Sequence, residues 1–171
     1  PSEHEREPAT RQLGQTSVTQ PCIFAVEYSL AKLFISWGVE PSLLIGHSIG
    51  EYVAAVLAGT FTLPDALRLL AARARMMQEL PSGSMLAIRA AAADIELPQG
   101  IDLAAVNSPQ LCTVSGSREA IVAFQQSLET KSIVSRVLDT SHAFHSAAME
   151  PITASFASKA AEITAKAPTI P

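Results

Sequence analysis

The chain has 171 residues, 48% of them hydrophobic and 16% charged. That balance is too apolar and too weakly charged for a disordered chain, and the length suits one domain or one domain with a small subdomain. Lys and Arg total 12 against 16 Asp and Glu, so the net charge is −4; with no basic run, this argues against a nucleic-acid surface.

No run of about 18 apolar residues occurs, so no membrane-spanning helix is expected. Residues 1–15 are polar and lack the apolar stretch of a secretory signal. The chain does not open with Met, which reads as processing or excision from something longer. Cys22 and Cys112 stand far apart and form no metal or redox motif. They are expected as two reduced, mostly buried thiols of a cytoplasmic protein.

Residues 1–18 mix charge, Pro, Gly and Thr and read as a polar leader or linker. Thr19-Gln20-Pro21 signals a helix start, with a polar cap and Pro at the first helical position. Val26, Leu30, Leu33 and Trp37 follow at i, i+4, i+7 and i+11, which predicts one buried face. Gly38 and Pro41 stop that helix. Leu43-Leu44-Ile45 is a short apolar run without alternation, as in a parallel strand covered on both faces. Gly46-His47-Ser48-Ile49-Gly50 ends it and opens a helix to about Ala58, closed by Gly59.

Thr62 and Pro64 start another helix, to about Leu80. Arg68, Arg75 and Glu79 share its solvated stripe, whereas Arg73 falls on an apolar stripe with Ala66, Leu70 and Met77. An inward guanidinium needs an anion or several acceptors. Two readings are open for it: recognition of an anionic ligand, or simple snorkelling or pairing with a core-edge carboxylate.

From Ser84 the texture changes. Strands are expected at Met85–Ile88, Leu103–Asn107, Leu111–Ser115 and Ile133–Leu138. A short helix is expected over Ala90–Leu97, a turn at Asn107-Ser108-Pro109-Gln110, and a helix capped by Ser117 and running to about Glu129. The order β-α-β-β-α-β suggests a ferredoxin-like unit. Pro151 starts a last helix, with Ile152, Phe156 and Ile163 on one face.

The strongest chemical signal is Gly46-x-Ser48-x-Gly50 between a strand and a helix. Such an elbow holds a serine in strained backbone, projects its oxygen, and sets the next amide, that of Ile49, at a helix N-terminus where it can stabilise an oxyanion. A glycine-rich structural turn is the bland alternative. A serine nucleophile needs a base. His4 lies in the polar leader, and the ring of His47 is expected to point away from the serine oxygen. His142 and His145, in Ser141-His142-Ala143-Phe144-His145-Ser146, remain. No third ligand at a familiar spacing turns this H-x-x-H into a metal site; either histidine alone also suits a structural role.

Together, an elbow serine, a distant histidine pair and an inward arginine suggest acyl transfer from an anionic acyl group, with the arginine forking onto a carboxylate. These residues resemble a malonyl-CoA:acyl carrier protein acyltransferase of modular polyketide synthases. The resemblance rests on Thr19-Gln20-Pro21, Phe24-Ala25-Val26-Glu27-Tyr28, Gly46-His47-Ser48-Ile49-Gly50-Glu51-Tyr52, and Arg73 25 positions after Ser48. Ala105-Val106-Asn107-Ser108-Pro109 and Ser141–Ser146 complete it, over about Leu13 to Pro168.

The resemblance implies an α/β fold: a partial α/β-hydrolase-like core from residues 19–82 and 146–171, with an inserted ferredoxin-like (β-α-β-β-α-β) subdomain over 83–145. It implies that Ser48 is the nucleophile, His145 the general base and acid, and Arg73 the holder of the acyl carboxylate. Ile49 would give an oxyanion amide, and Gln20, Asn107, His47, His142 and Phe144 would line the site. His-Ala-Phe-His resembles the malonyl-selective form, with Phe144 filling the space of an extra methyl, a misfit worth about 1–3 kcal/mol. No metal or bound cofactor is implied. The substrates would be malonyl-CoA and the phosphopantetheine thiol of an acyl carrier protein, among neighbouring polyketide synthase domains, with no nucleic acid and no membrane.

The family's Gly-Gln-rich loop before the first matched helix, and its sheet after the histidine segment, do not occur in these residues. The reading is therefore a fragment of low activity by itself, with an exposed apolar sheet edge. Two rivals stand beside it. One is a serine hydrolase whose acid is Asp94, Asp102 or Asp139. The other is a non-catalytic scaffold.

Overall fold

A computed structural model describes residues 3–171, with side chains described from Arg6 onward. The chain divides into two compact units, one holding the residues up to Gln78 together with Ala154–Pro171 and the other Glu79–Thr153. Each is built differently.

The first unit is helical. The residues read as a polar leader form helix α1, Glu3–Leu13, whose described side chains face solvent. Helix α2 spans Thr16–Ser36 and so starts three residues before the expected cap. Its first amides find acceptors early: Val18 and Thr19 N–H both donate to the Gln15 carbonyl, at 2.9 and 2.8 Å, and Ser17 N–H donates to Gln78 Oε1 at 3.3 Å. Pro21 then lies inside the helix, where its missing N–H removes a single intrahelical bond near the start.

The expected buried face of α2 is corrected by the structure. Val26 is 67% and Trp37 68% exposed, and Leu30 and Leu33 also face solvent. The buried stripe is Thr16, Gln20 and Phe24, at i, i+4 and i+8, with Tyr28 stacked on Phe24 at 5.9 Å. The helix is apolar on several sides, so the i, i+4, i+7, i+11 spacing of Val26, Leu30, Leu33 and Trp37 does not by itself set which side is buried. Within this unit, packing selects the one that carries Phe24. Trp37 meets Phe34 edge-on at 5.6 Å. Cys22, on the same helix, is exposed rather than buried.

Leu43–Ile45, expected as a strand with most of its parallel neighbours missing, forms no strand among the described residues. A ladder needs neighbours along its length. Here Leu44 N–H donates to the Pro171 carbonyl at 2.8 Å, and Ile45 is 89% exposed. Helix α3, Gly50–Leu57, follows and is closed by Gly59 at φ +76°. Helix α4, Leu63–Gln78, is capped by Thr62, whose Oγ1 donates to Asp65 Oδ2 at 2.6 Å and accepts from Asp65 N–H at 3.2 Å. The core of this unit is Phe24, Ile49, Val53, Ala66 and Leu70, bordered by Tyr28, Tyr52, Phe61 and Leu63. Ile49 in that cluster anchors the residue after Ser48. Among the described residues no helix is long and apolar enough to cross a membrane.

The second unit is a four-stranded antiparallel sheet. Its strands are β1 (Ser84–Ile88), β2 (Ile101–Ser108), β3 (Leu111–Gly116) and β4 (Ser135–Val137), in the order β2-β3-β1-β4. Each crossover therefore skips a strand, as in a split β-α-β pair. Helix α5, Arg118–Thr130, is capped by Ser117 Oγ accepting Ala120 N–H at 3.1 Å. It covers a core of Leu86, Ile88, Ile101, Cys112, Val114, Ile121, Phe124 and Leu128. Burial pushes the Cys112 thiol up, in keeping with an inert core residue.

Two expected helix boundaries shift. The helix expected over Ala90–Leu97 is only a 3-10 turn at Ala92–Asp94, because Leu97 precedes Pro98 and is held out of the helical region. Pro151 lies inside a 3-10 segment, Ala147–Ile152, and the last helix, α6, is Thr153–Ala161.

The two faces of α2 give a direct test in the 171-residue chain. Phe24→Ala should lower stability by about 3–5 kcal/mol. Trp37→Glu should change it by less than about 0.5 kcal/mol. Urea unfolding followed by circular dichroism measures both, and a large loss from Trp37→Glu would contradict the exposed face.

Candidate active site

The Gly46–Gly50 turn is tight enough to dictate its glycine. A Cβ built on Gly46 would overlap the backbone of Gly50 and Glu51, so the chain passes against the start of α3 with no space for a side chain. Gly50, by contrast, would meet only Glu27 Oε2 at an ordinary 3.8 Å. Ser48 adopts φ +53°, in the left-handed region that L-residues avoid.

Such strain persists only where the surroundings over-determine it. Here Gly50 N–H donates to the His47 carbonyl at 3.1 Å and Glu51 N–H to the Ser48 carbonyl at 3.2 Å, which ties both turn carbonyls to α3. Ser48 is half-buried and His47 exposed. Ile49 is buried at the N-cap of α3, so its amide belongs to the first-turn donors that a helix cannot pair internally.

Arg73 lies on α4 between Leu70 and Met77, both buried, and is itself half-buried. Its Nη1 donates to Gln20 Oε1 at 2.7 Å, and Gln20 Nε2 lies 3.2 Å from Met77 Sδ. The amide of the buried Gln20 is thereby oriented with its oxygen toward the guanidinium. The ion pairs among the described residues are Arg68–Asp65 and Lys159–Glu162, and neither involves Arg73. Of the two readings left open for this arginine, pairing with a core-edge carboxylate is thus not what the structure contains. Burial lowers the Arg73 guanidinium below its ordinary value, opposed by its electrostatic interaction with Tyr52; burial raises the Tyr52 hydroxyl, opposed by Arg73. Tyr52 is a neighbour of this cluster that motif reading quoted without assigning a role.

In the second unit, His142, Phe144 and His145 occupy the loop after β4. His142 is 3% exposed. Its Nδ1 lies 2.8 Å from Ser141 Oγ and its Nε2 3.1 Å from the Leu80 carbonyl, so both ring nitrogens take part in structural hydrogen bonds. Phe144 is half-buried, with its ring 5.9 Å from that of His142. His145 is exposed and, like Ser48, left-handed, at φ +57°. Asn107, near the end of β2, donates from Nδ2 to Thr113 Oγ1 at 3.1 Å.

Among the described residues a third non-glycine with positive φ is Ser132, at +56°. It follows the end of α5, where Ile133 N–H returns to the Leu128 carbonyl at 2.9 Å, an ordinary helix stop. Ser48 and His145 have no such helix-end explanation. The side chain of His4 lies outside the described residues.

Asp102, an acid weighed for a hydrolase triad, accepts the Ala147 N–H on Oδ2 at 2.8 Å and so engages backbone. Among the described residues no group of three or more His, Cys, Asp and Glu is arranged to hold a metal.

Residues 5–171 match the family model described as acyl transferase domain. Mycoketide-CoA synthase of Mycobacterium tuberculosis is 44% identical over 161 residues, covering 92% of this chain and 4% of that protein. A phenolphthiocerol synthesis polyketide synthase type I of Mycobacterium marinum is 41% identical over 161 residues, covering 92% and 8%. The acyltransferase domain from the second module of the salinomycin polyketide synthase aligns with a TM-score of 0.89 at 42% identity, over 94% of this chain and 40% of that one. The malonyl CoA-acyl carrier protein transacylase of Coxiella burnetii gives 0.87 at 29% identity, over 94% and 55%. The chain thus spans a small part of the length of these curated relatives.

The backbone at Ser48 makes an unusual mutational prediction. Ser48→Gly should be more stable than Ser48→Ala by about 1 kcal/mol, because Ala keeps the left-handed penalty and Gly removes it. Thermal unfolding of the two variants tests this, and equal midpoints would contradict a left-handed Ser48.

Proposed function

The chain belongs to the acyl transferase domain family, and we propose that it carries malonyl from malonyl-CoA to the phosphopantetheine thiol of an acyl carrier protein through an ester on Ser48. The observation that carries this reading is Arg73: a half-buried cation on an apolar stripe, held by the neutral oxygen of Gln20 and not by a carboxylate. A desolvated guanidinium of this kind retains donors for a bidentate carboxylate, and the malonyl group supplies one. The similarity to the malonyl CoA-acyl carrier protein transacylase of Coxiella burnetii supports the same acyl group.

In the proposed cycle, His145 takes the Ser48 proton as Oγ attacks the thioester carbonyl. The developing oxyanion is met by the Ile49 amide at the N-terminus of α3. Collapse of the intermediate breaks the carbon–sulfur bond. Coenzyme A leaves as the thiol, with the proton from His145. The carrier's thiol then gives its proton to His145, attacks the Ser48 ester, and regenerates the Ser48 hydroxyl. Gln20 holds Arg73 in place for the carboxylate throughout. Phe144 and His142 form a wall against a branched extender, with His142 contributing shape because its nitrogens are engaged. His47 and Asn107 border the substrate path. No metal enters any step. The proposed setting is cytoplasmic, beside the other domains of a polyketide synthase.

Radiolabelled malonyl-CoA, offered to the full-length protein carrying these residues, tests the reading. Label should be retained on Ser48 until a carrier protein is added and should be lost in Ser48→Ala. Immediate release of free malonate would favour a hydrolase instead. Arg73→Leu should slow malonyl loading by about 100-fold while sparing acetyl loading, since one charge-assisted carboxylate fork is worth about 3 kcal/mol. Equal losses for malonyl and acetyl groups would remove Arg73 from carboxylate recognition.

A further inference from the structure

Ser115 and Asp102 stand directly opposite one another on the β2–β3 ladder. Directly opposed residues project from the same face of a sheet, side by side. Both side chains end on the His145 loop. Ser115 Oγ donates to the Phe144 carbonyl at 2.7 Å, and Asp102 Oδ2 accepts the Ala147 N–H at 2.8 Å. One bond therefore falls on the peptide group just before His145 and the other falls two residues after its Cα. Ser115 is fully buried on the central strand β3, so the sheet holds its hydroxyl rigidly.

The loop between these two points is closed locally as well. Ser146 Oγ donates to the Ala143 carbonyl at 2.6 Å, and it accepts the Ala148 N–H at 3.2 Å. On the far side, Gly83 approaches so closely that a Cβ there would lie 2.5 Å from Ala143 N. His145 itself is left-handed at φ +57°, a conformation that relaxes unless it is held from both directions.

We infer that Ser115 and Asp102 are positioning residues that act as one cross-strand clamp and fix the backbone, and through it the imidazole, of His145. The inference rests on the proposed role of His145 as base. It also gives the carboxylate of Asp102 a different job from that of a triad acid: it orients the histidine through a backbone amide and leaves the ring nitrogens to other partners.

The test is steady-state malonyl transfer by the full-length protein carrying these residues, with radiolabelled malonyl-CoA as the probe. Ser115→Ala and Asp102→Ala should each lower kcat about tenfold with KM for malonyl-CoA within about twofold, as expected for a misplaced base. Asp102→Asn keeps an acceptor oxygen and should recover kcat to within about threefold of the parent. Ser127→Ala removes an equivalent hydroxyl-to-carbonyl bond on α5, at 2.8 Å to Phe124, and should leave kcat unchanged.

The pH dependence of the His145 ring, followed by NMR, should shift in Ser115→Ala and Asp102→Ala but not in Ser127→Ala. Unchanged kcat in both clamp variants, with His145→Ala inactive, would overturn the clamp and leave the base in place. Full transfer by His145→Ala would overturn both. If Ser115→Ala does not fold, the Asp102→Ala and Asp102→Asn pair decides the matter.

Discussion

The constraint on which the site depends is backbone strain at two side chains that the proposed chemistry needs. Ser48 and His145 are both left-handed, and neither position closes a helix. A left-handed residue with a Cβ costs roughly 1–3 kcal/mol, so each must be held by something stiffer than the loop it occupies. At Ser48 the holder is α3, through the carbonyls of His47 and Ser48 and the steric demand at Gly46. At His145 it is the β2–β3 ladder, through Ser115 and Asp102. The two units solve the same problem with different secondary structure, one with a helix N-terminus and one with a pair of strands.

A second constraint is charge without a counter-charge. Most half-buried arginines are paired, because the desolvation of a guanidinium is large. Among the described residues, Arg73 is offset by a neutral amide oxygen and by its electrostatic coupling to Tyr52. That arrangement is poor for stability, and it suits the binding proposed for Arg73, in which an acyl carboxylate would restore the missing charge balance. Gln20 is central to it. Its oxygen fits the cation and its amide nitrogen is taken up by the Met77 sulfur, which disfavours the flipped amide that would oppose Arg73 with a donor.

How much of this was legible in the sequence follows from the range of the interactions involved. The elbow, its helix, the Thr62 and Ser117 caps and the succession of strands and helices after Ser84 depend on neighbours within a few residues, and pattern reading finds them. The inward stripe of Arg73 is also periodic, hence visible. Periodicity predicted one buried face of α2, but packing chose another; Phe24, with Thr16 and Gln20, is buried where Val26 and Trp37 were expected to be. Leu43–Ile45 has the composition of a covered strand, but a strand is defined by hydrogen-bonded neighbours, and in the described residues it receives one backbone bond, from Leu44 to Pro171. Ser115 left no trace in the sequence. A serine among alternating strand residues looks like any other until the loop it holds, 29 residues further on, is in place.

The loop around His145 holds its two histidines in different ways, which bears on the base proposed at His145. His142 is buried, with both nitrogens within hydrogen-bonding distance of groups in its own unit, so its ring serves to tie the loop to Leu80 and Ser141. A ring fixed in that way cannot exchange protons with a substrate without first breaking structural bonds. His145, three residues later, is exposed and held through its backbone. Backbone clamping fixes where an imidazole starts without making the ring itself the tether, whereas side-chain clamping uses up the very atoms a base requires. Within His142-Ala143-Phe144-His145, the loop is thus tied through the ring of the first histidine and through the backbone on either side of the second.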